Sequence, residues 1–418
     1  MFGKPKPEVL IAGAGPVGLF TALALTRRGI RVRVLDPHSW EAGHSYALAL
    51  HAESLQQLEG VGLRSAVLAR SQQVSQLSGY EGATRQTAAK LPSQPVAVLP
   101  QSDLEGLLVQ ALLDRDVKVE WNHRLAACHQ ADGHVDVTVH RLDQEGRGYG
   151  VAHVEWVVDK SERLAVPFVV GADGHSSFVR VSQEIDFATV GATQHFAVFE
   201  FQSTPPPATE LAVATTGGML SALWPLPAGF CRWSFQLPQY AADEESRDKD
   251  VTKIQIGAER YPQLSTDDLR RLLAERAPWF NGAVGSIRWR LVCRFERRLA
   301  SSFGRDRVWL AGDAAHMTGP VGIQSMNLGL QEGAHLAALL AGCLREGQPL
   351  STFQAYEQRW LPEWRFLLGL TPGLQPGPKT SPWAAQHAAD LLPCLPASGA
   401  DLRTLAQELG LQTPPAIH

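Results

Sequence analysis

Two glycine-rich runs far apart in the chain have residue types and spacing suited to holding a ligand. One is Gly13-Ala14-Gly15-Pro16-Val17-Gly18; the other is Gly312-Asp313-Ala314-Ala315-His316, running on to Asn327-Leu328-Gly329. Each follows a short apolar run and opens a helix-like stretch. The first amides of a helix have no internal partners and the dipole there is positive, so both turns suit an anionic or electron-rich ligand. Gly312, Gly319 and Gly322 permit close backbone approach, and Asp313 offers a fixed acceptor for a hydroxyl.

The first run is GxGxxG in the setting that gives it meaning. A strand-like stretch, residues 9–12, precedes it, and a helical pattern over 19–28 follows, with Gly29 as C-cap. Residues 31–35 then alternate as a strand ending on Asp36, eighteen positions past Gly18. The glycines let a pyrophosphate reach the helix start, while the Asp36 carboxylate accepts from a ribose diol. That carboxylate would repel a 2′-phosphate, which leaves FAD or NAD as the dinucleotide.

The elements that must position these turns follow from periodicity. Residues 45–62 read as a strand-like entry and a short helix, 71–99 as a polar, irregular excursion, and 101–108 as a helix capped by Ser102 or Asp103. Residues 117–121, 135–139 and 151–158 alternate as strands of an antiparallel meander over a parallel sheet. Residues 167–174 form a second buried strand ending in Asp173-Gly174, followed by Ser177 and Arg180. From about 186 to 290 the rhythm changes. Stretches 196–201, 211–214, 219–224 and 230–237 read as a mostly antiparallel sheet, with only Glu200, Glu210 and Arg232 charged between Phe187 and Tyr240. Phe199, Phe201, Trp224 and Trp233, with Phe230 and Phe235, are the candidates to line a substrate pocket, although core packing is the commoner fate of such residues. Helices are expected over 265–277, to about 344 and over 353–370, and the Pro-rich stretch 371–396 has no evident place.

Composition excludes whole classes. Hydrophobic content of 44% with 19% charged residues is that of a globular chain, and a net charge of −4 makes no electrostatic case for nucleic acid or an acidic membrane surface. Five scattered cysteines without a CxxC pair argue against a disulfide framework or a metal site and for a reducing compartment. With no leader-like N-terminus and no apolar run of about 20 residues, the sequence reads as cytoplasmic, without a membrane span.

The GxGxxG run with Asp36, the run from Asp173-Gly174 to Arg180, and the Gly312-Asp313 run together resemble the single-component flavoprotein aromatic hydroxylases, the para-hydroxybenzoate hydroxylase family. The resemblance implies an α/β fold: a Rossmann-like FAD-binding domain (1–70, 100–185 and 291–345), an interleaved substrate domain (71–99 and 186–290) and a C-terminal helical region (346–418). It implies noncovalent FAD, with NADH or NADPH as cosubstrate and no separate domain for it. Gly13, Ala14, Gly15, Pro16, Val17 and Gly18 would line the pyrophosphate, Asp36 and Pro37 the adenosine ribose, Gln101 the ribityl or phosphate region, and Leu125 the adenine through its backbone. Asp173 would be the structural acid of its turn, Gly312 and Asp313 would hold the ribityl chain, and the backbone of Gly322, Ser325, Met326 and Asn327 would face the flavin pyrimidine.

The activity implied is hydroxylation of an apolar, aromatic small molecule by O2 through a flavin C4a-hydroperoxide. Pro320 would present its carbonyl at the flavin edge, with His316 and Tyr46 as titratable candidates. Tyr46 stands where family members often carry Arg, Gly319 precedes Pro320 where Pro-Pro is common, and Ser325 replaces a usual Gly. Two other readings remain open: a reductase or dehydrogenase of the same fold acting on a polyprenyl-type chain, and a non-catalytic flavin-binding protein. Monomer and homodimer are equally compatible with the sequence.

Overall fold

The computed structural model describes residues 6–38, 47–93, 95–147, 153–238, 253–256, 259–262 and 264–414. Its first layer is a six-stranded sheet in the order Gly304–Arg305, Val308–Leu310, Phe168–Gly171, Val9–Ala12, Val32–Asp36, Val119–Trp121. All neighbours are parallel except the Gly304–Arg305 edge. The central strands, Val9–Ala12 and Phe168–Gly171, are buried throughout, as expected of a sheet covered on both faces. Both glycine turns leave the carboxyl ends of strands of this sheet, Val9–Ala12 and Val308–Leu310 on either side of Phe168–Gly171, where an open α/β sheet offers its crevice.

The helix Pro16–Thr26 starts on a proline, whose ring presets helical φ, and the chain leaves it through Gly29 at φ +71°. It packs against the long helix Gln324–Glu346, which ends at a left-handed Gly347. Residues 117–121 depart from expectation. Val119–Trp121 joins the parallel sheet beside Val32–Asp36, and the meander is His123–Ala131, His134–Arg147 and His153–Val166.

The second layer is a seven-stranded sheet: Ala283–Phe295, Gln194–Thr204, Phe230–Leu237, Met219–Pro225, Leu211–Thr216, Gln76–Glu81, Thr84–Lys90. Residues 71–99 are therefore not irregular. Gln76–Glu81 pairs parallel with Leu211–Thr216 and antiparallel with Thr84–Lys90, while Val96–Val98 bridges Ala49–Leu50 and Gln72–Val74. Their polar residues misled because this is the sheet's edge, with Thr84–Lys90 largely solvated on the outside.

The helix Thr266–Arg276, held by a capping box between Ser265 and Asp268, covers one face of this sheet. The stretch 371–396 also finds a place. Short helices Pro382–Gln386 and Ala388–Leu391 lead into buried Cys394 and Leu395, and Trp383 lies over Gly79. Among the described residues no helix is long and apolar enough to cross a membrane.

Candidate active site

In the first turn the three glycines have different reasons to be glycine. A Cβ on Gly13 (φ +101°) would lie 2.1 Å from the Ala172 carbonyl oxygen, and one on Gly18 would lie 2.1 Å from that of Gly13. These two are required by the protein's own packing. A Cβ on Gly15 would meet nothing within 4 Å, so its side of the turn is open to a ligand. Asp36 is held at the tip of its strand by the backbone N–H groups of Ala14 and His38, which donate to its two oxygens at 2.8 Å each. Pro37 is half-buried beside it.

The second turn is braced from behind. Gly312 (φ +64°) donates its N–H to the carboxylate of Glu332 at 2.9 Å, and this fully buried acid also accepts from Trp364 Nε1 at 2.7 Å. His316 Nε2 meets the same carboxylate at 2.8 Å while its ring stacks on Trp364 with centroids 3.6 Å apart. His316, expected as a catalytic candidate, is thus a packed residue behind the turn and lines no part of the cavity in front of it. Asp313 faces that cavity. Its surroundings of protein raise its carboxyl pKa, partly offset by His316, His175 and the Ser325 hydroxyl.

Between the turn and the long helix, Ile323 adopts φ +53°, a left-handed conformation that is strained for a β-branched residue. Its neighbours hold it there. The Gly322 N–H donates to the Pro393 carbonyl at 3.0 Å, and the Gly322 carbonyl lies 2.8 Å from His51 Nε2. Gly322 is glycine because a Cβ would strike the Pro393 and Leu395 carbonyls at 2.6 and 2.8 Å, a packing reason in place of the expected ligand approach. Asn327 is likewise consumed by protein: its amide nitrogen donates to the Ala49 and Ile323 carbonyls, and its oxygen accepts from His51 N–H. Burial drives the His51 pKa down to about 4, so the ring is neutral.

These turns open on one cavity of about 710 Å3, within the range of cofactor and substrate clefts. Gly15, Pro16 and Val17 line it at one end, Gln101 and Ala47 on a side, and Asp313, Pro320, Ile323, Ser325 and Met326 opposite. Gln101 accepts from Ala47 N–H at 3.1 Å and donates to Glu105 at 2.8 Å. The strand stretch 291–295 of the second sheet closes the space. Those residues, together with His175 and Thr318, were not singled out from sequence.

Other expected residues lie elsewhere. Asp173 accepts from the Ser177 hydroxyl at 2.5 Å and from Val179 N–H at 3.0 Å, pinning its turn, and only its neighbours Ala172, Gly174 and His175 reach the cavity. Leu125 is buried in the meander, outside the cavity wall. Phe199, Phe201 and Trp233 pack on the sheet face under the helix Thr266–Arg276, away from the cavity. Period-two alternation puts Phe196 and Val198 on the cavity side instead. Trp224 is on that nearer side but serves as a strut, donating Nε1–H to the Val321 carbonyl at 3.1 Å. Tyr46 lies outside the described residues.

The sequence matches the FAD binding domain family over residues 6–365. The chain belongs to this family. It is 31% identical over 350 residues to 6-methylpretetramide 4-monooxygenase of Streptomyces rimosus, covering 81% of this chain and 56% of that protein. It is 27% identical to rifampicin monooxygenase of Rhodococcus hoagii, covering 85% of this chain and 68% of that protein. The chain thus spans little more than half of the first relative's length. Its fold is that of p-nitrophenol 4-monooxygenase PnpA from Pseudomonas putida DLL-E4, with TM-score 0.66 at 19% identity over 96% of this chain and 92% of that one. The resemblance to FAD-dependent aromatic hydroxylases and the mixed α/β fold expected from sequence both hold. The site residues fit the cofactor of the family: an open Gly15 edge at a helix start, a carboxylate at the strand tip in Asp36, and a cavity-facing carboxylate in Asp313.

Proposed function

We propose that the chain is an FAD-dependent monooxygenase that uses NADH or NADPH and O2 to hydroxylate an apolar, aromatic small molecule. The reading rests on one observation: the Gly15–Val17 edge, the Asp313 turn and the stretch 291–295 of the second sheet share a single cavity. A cofactor gripped at both turns would lie against a substrate floor. The named relatives, all monooxygenases, support the same reading. Bound FAD would supply the oxygen activation and redox chemistry, which the protein itself lacks.

The chain's own part is positioning, electrostatics and exclusion of water. Asp313 would accept from a ribityl hydroxyl. The helix start at Gln324–Met326, which has no side-chain cap, would favour an anionic ring edge through its first N–H groups. Pro320, on the cavity wall, would offer its carbonyl to a substrate hydroxyl.

The test is a panel of aromatic compounds screened for stimulated NAD(P)H consumption, with products weighed by mass spectrometry. A gain of one oxygen atom is the expected result, and no stimulation across a broad panel counts against the proposal. Asp313→Ala is expected to weaken FAD retention by about tenfold or more, the worth of a hydrogen bond to a charged group. Yellow colour surviving gel filtration of that variant would contradict the ribityl role.

A further inference from the structure

A second pocket of about 90 Å3 adjoins the cavity and shares Gly319 and Pro320 with it. One wall is the second sheet, through Phe196, Thr215 and Gln236; the opposite wall is His387 to Cys394 of the C-terminal region, beyond the stretch that matches the family. Its size suits a ring substituent, with the ring itself left in the larger cavity.

The polar groups here are donors in excess of acceptors. The Nε of Arg297 is buried without a hydrogen-bond partner, and among the described residues its guanidinium is in no ion pair. Gln236 uses its carbonyl oxygen to accept Leu220 N–H at 3.0 Å, and its NH2 has no acceptor among the described residues. Thr215 Oγ1 accepts from Trp383 Nε1 at 3.1 Å and lies 3.3 Å from His387 Nε2. The His387 ring lines the pocket as well and carries at least one ring N–H in any tautomer. Among the lining residues the single acid is Asp390, whose side chain is 71% exposed and stands 3.9 Å from His387 Nδ1. A half-buried guanidinium without a counter-charge is a cost that an incoming anion removes.

We propose that this pocket is a recognition subsite for a carboxylate substituent on the aromatic substrate, with Arg297 as its charge partner and His387 as a specificity-determining neighbour. The proposal rests on the monooxygenase reading above. It makes the C-terminal region part of the substrate site.

The test is isothermal titration calorimetry of the full-length protein with 2-naphthoate and with its neutral counterpart, 2-naphthamide. Wild type is expected to bind the acid about tenfold or more tightly than the amide, as a charge-assisted bond would give. Arg297→Gln should abolish that preference with the melting temperature unchanged, Arg297→Lys should restore part of it, and His387→Ala should weaken the acid severalfold while sparing the amide. Equal affinities in wild type, failure of the acid to bind, or an acid preference that survives in Arg297→Gln overturns the proposal. Flavin absorbance in the same samples keeps the two readings apart. A yellow protein indifferent to the carboxylate sinks the subsite alone, whereas a colourless one that prefers the acid sinks the cofactor reading alone.

Discussion

Gly13 and Gly15, two residues apart in one motif, are glycine for opposite reasons, and this separates stability from binding. Gly13→Ala places a methyl group against the Ala172 carbonyl at φ +101°, and is expected to destabilise the fold by about 2 kcal/mol or more. Gly15→Ala meets nothing at ordinary dihedrals (φ −73°, ψ 179°), so its melting temperature should match wild type while FAD uptake falls. Thermal unfolding of the apoprotein beside flavin titration checks both. Equal unfolding temperatures for the two variants would refute the distinction. The motif's spacing was legible in the sequence; which glycine serves the ligand was not, because that depends on Ala172, which arrives from a different strand.

At the scale of elements, the start of the helix Gln324–Glu346 is fixed by partners that local sequence does not reveal. Glu332, about two turns into that helix, holds Gly312, His316 and Trp364. Glu332→Leu strands those three groups in the core and is expected to cost about 3 kcal/mol or more, as losing one member of a buried polar network does; Glu332→Gln, which keeps acceptors, should cost less. Denaturant unfolding of both variants measures the gap, and no difference between them would argue against the network. His51 adds a pH dependence. Its pKa falls from 6.5 to about 4 on burial, so the unfolded chain binds a proton there that the folded chain refuses. Its contribution to stability is whole above pH 6.5 and is lost as pH falls towards 4. The acid-induced loss of stability between pH 6.5 and 4 should therefore be shallower in His51→Gln than in wild type. Parallel curves would remove His51 as the cause.

Across the whole molecule, the C-terminal region acts as a clasp. Gly322 donates to Pro393, the Gln324 side chain to the Leu392 and Leu395 carbonyls, and Trp383 covers Gly79 so closely that a Cβ there would stand 2.4 Å from its ring. Gly79→Ala should accordingly cost about 1–3 kcal/mol, the range for overpacking, and loosen the region measurably in limited proteolysis near residue 383. An unchanged cleavage pattern and melting temperature would contradict the clasp. Nothing in the Pro-rich composition of 371–396 signalled this, since each of those contacts joins residues remote in sequence.

What the chain determined by its sequence alone was local: two strand–turn–helix units with glycines and an acid at fixed spacing, enough to name a dinucleotide, a fold class and a family. Those features depend on backbone geometry over a few residues, which spacing encodes directly. The tertiary structure alone decided which faces meet. Within the strand Gln194–Thr204 the run from Phe196 to Phe199 is apolar and buried on both sides, so its alternation there carries no mark of which side faces the cavity. Phe199, Phe201 and Trp233 fell to the far side, and His316 behind its turn, because a helix and a tryptophan from elsewhere in the chain cover them there. Arg297 and His387 were brought to one pocket by the same long-range packing, which no periodicity within either segment can register.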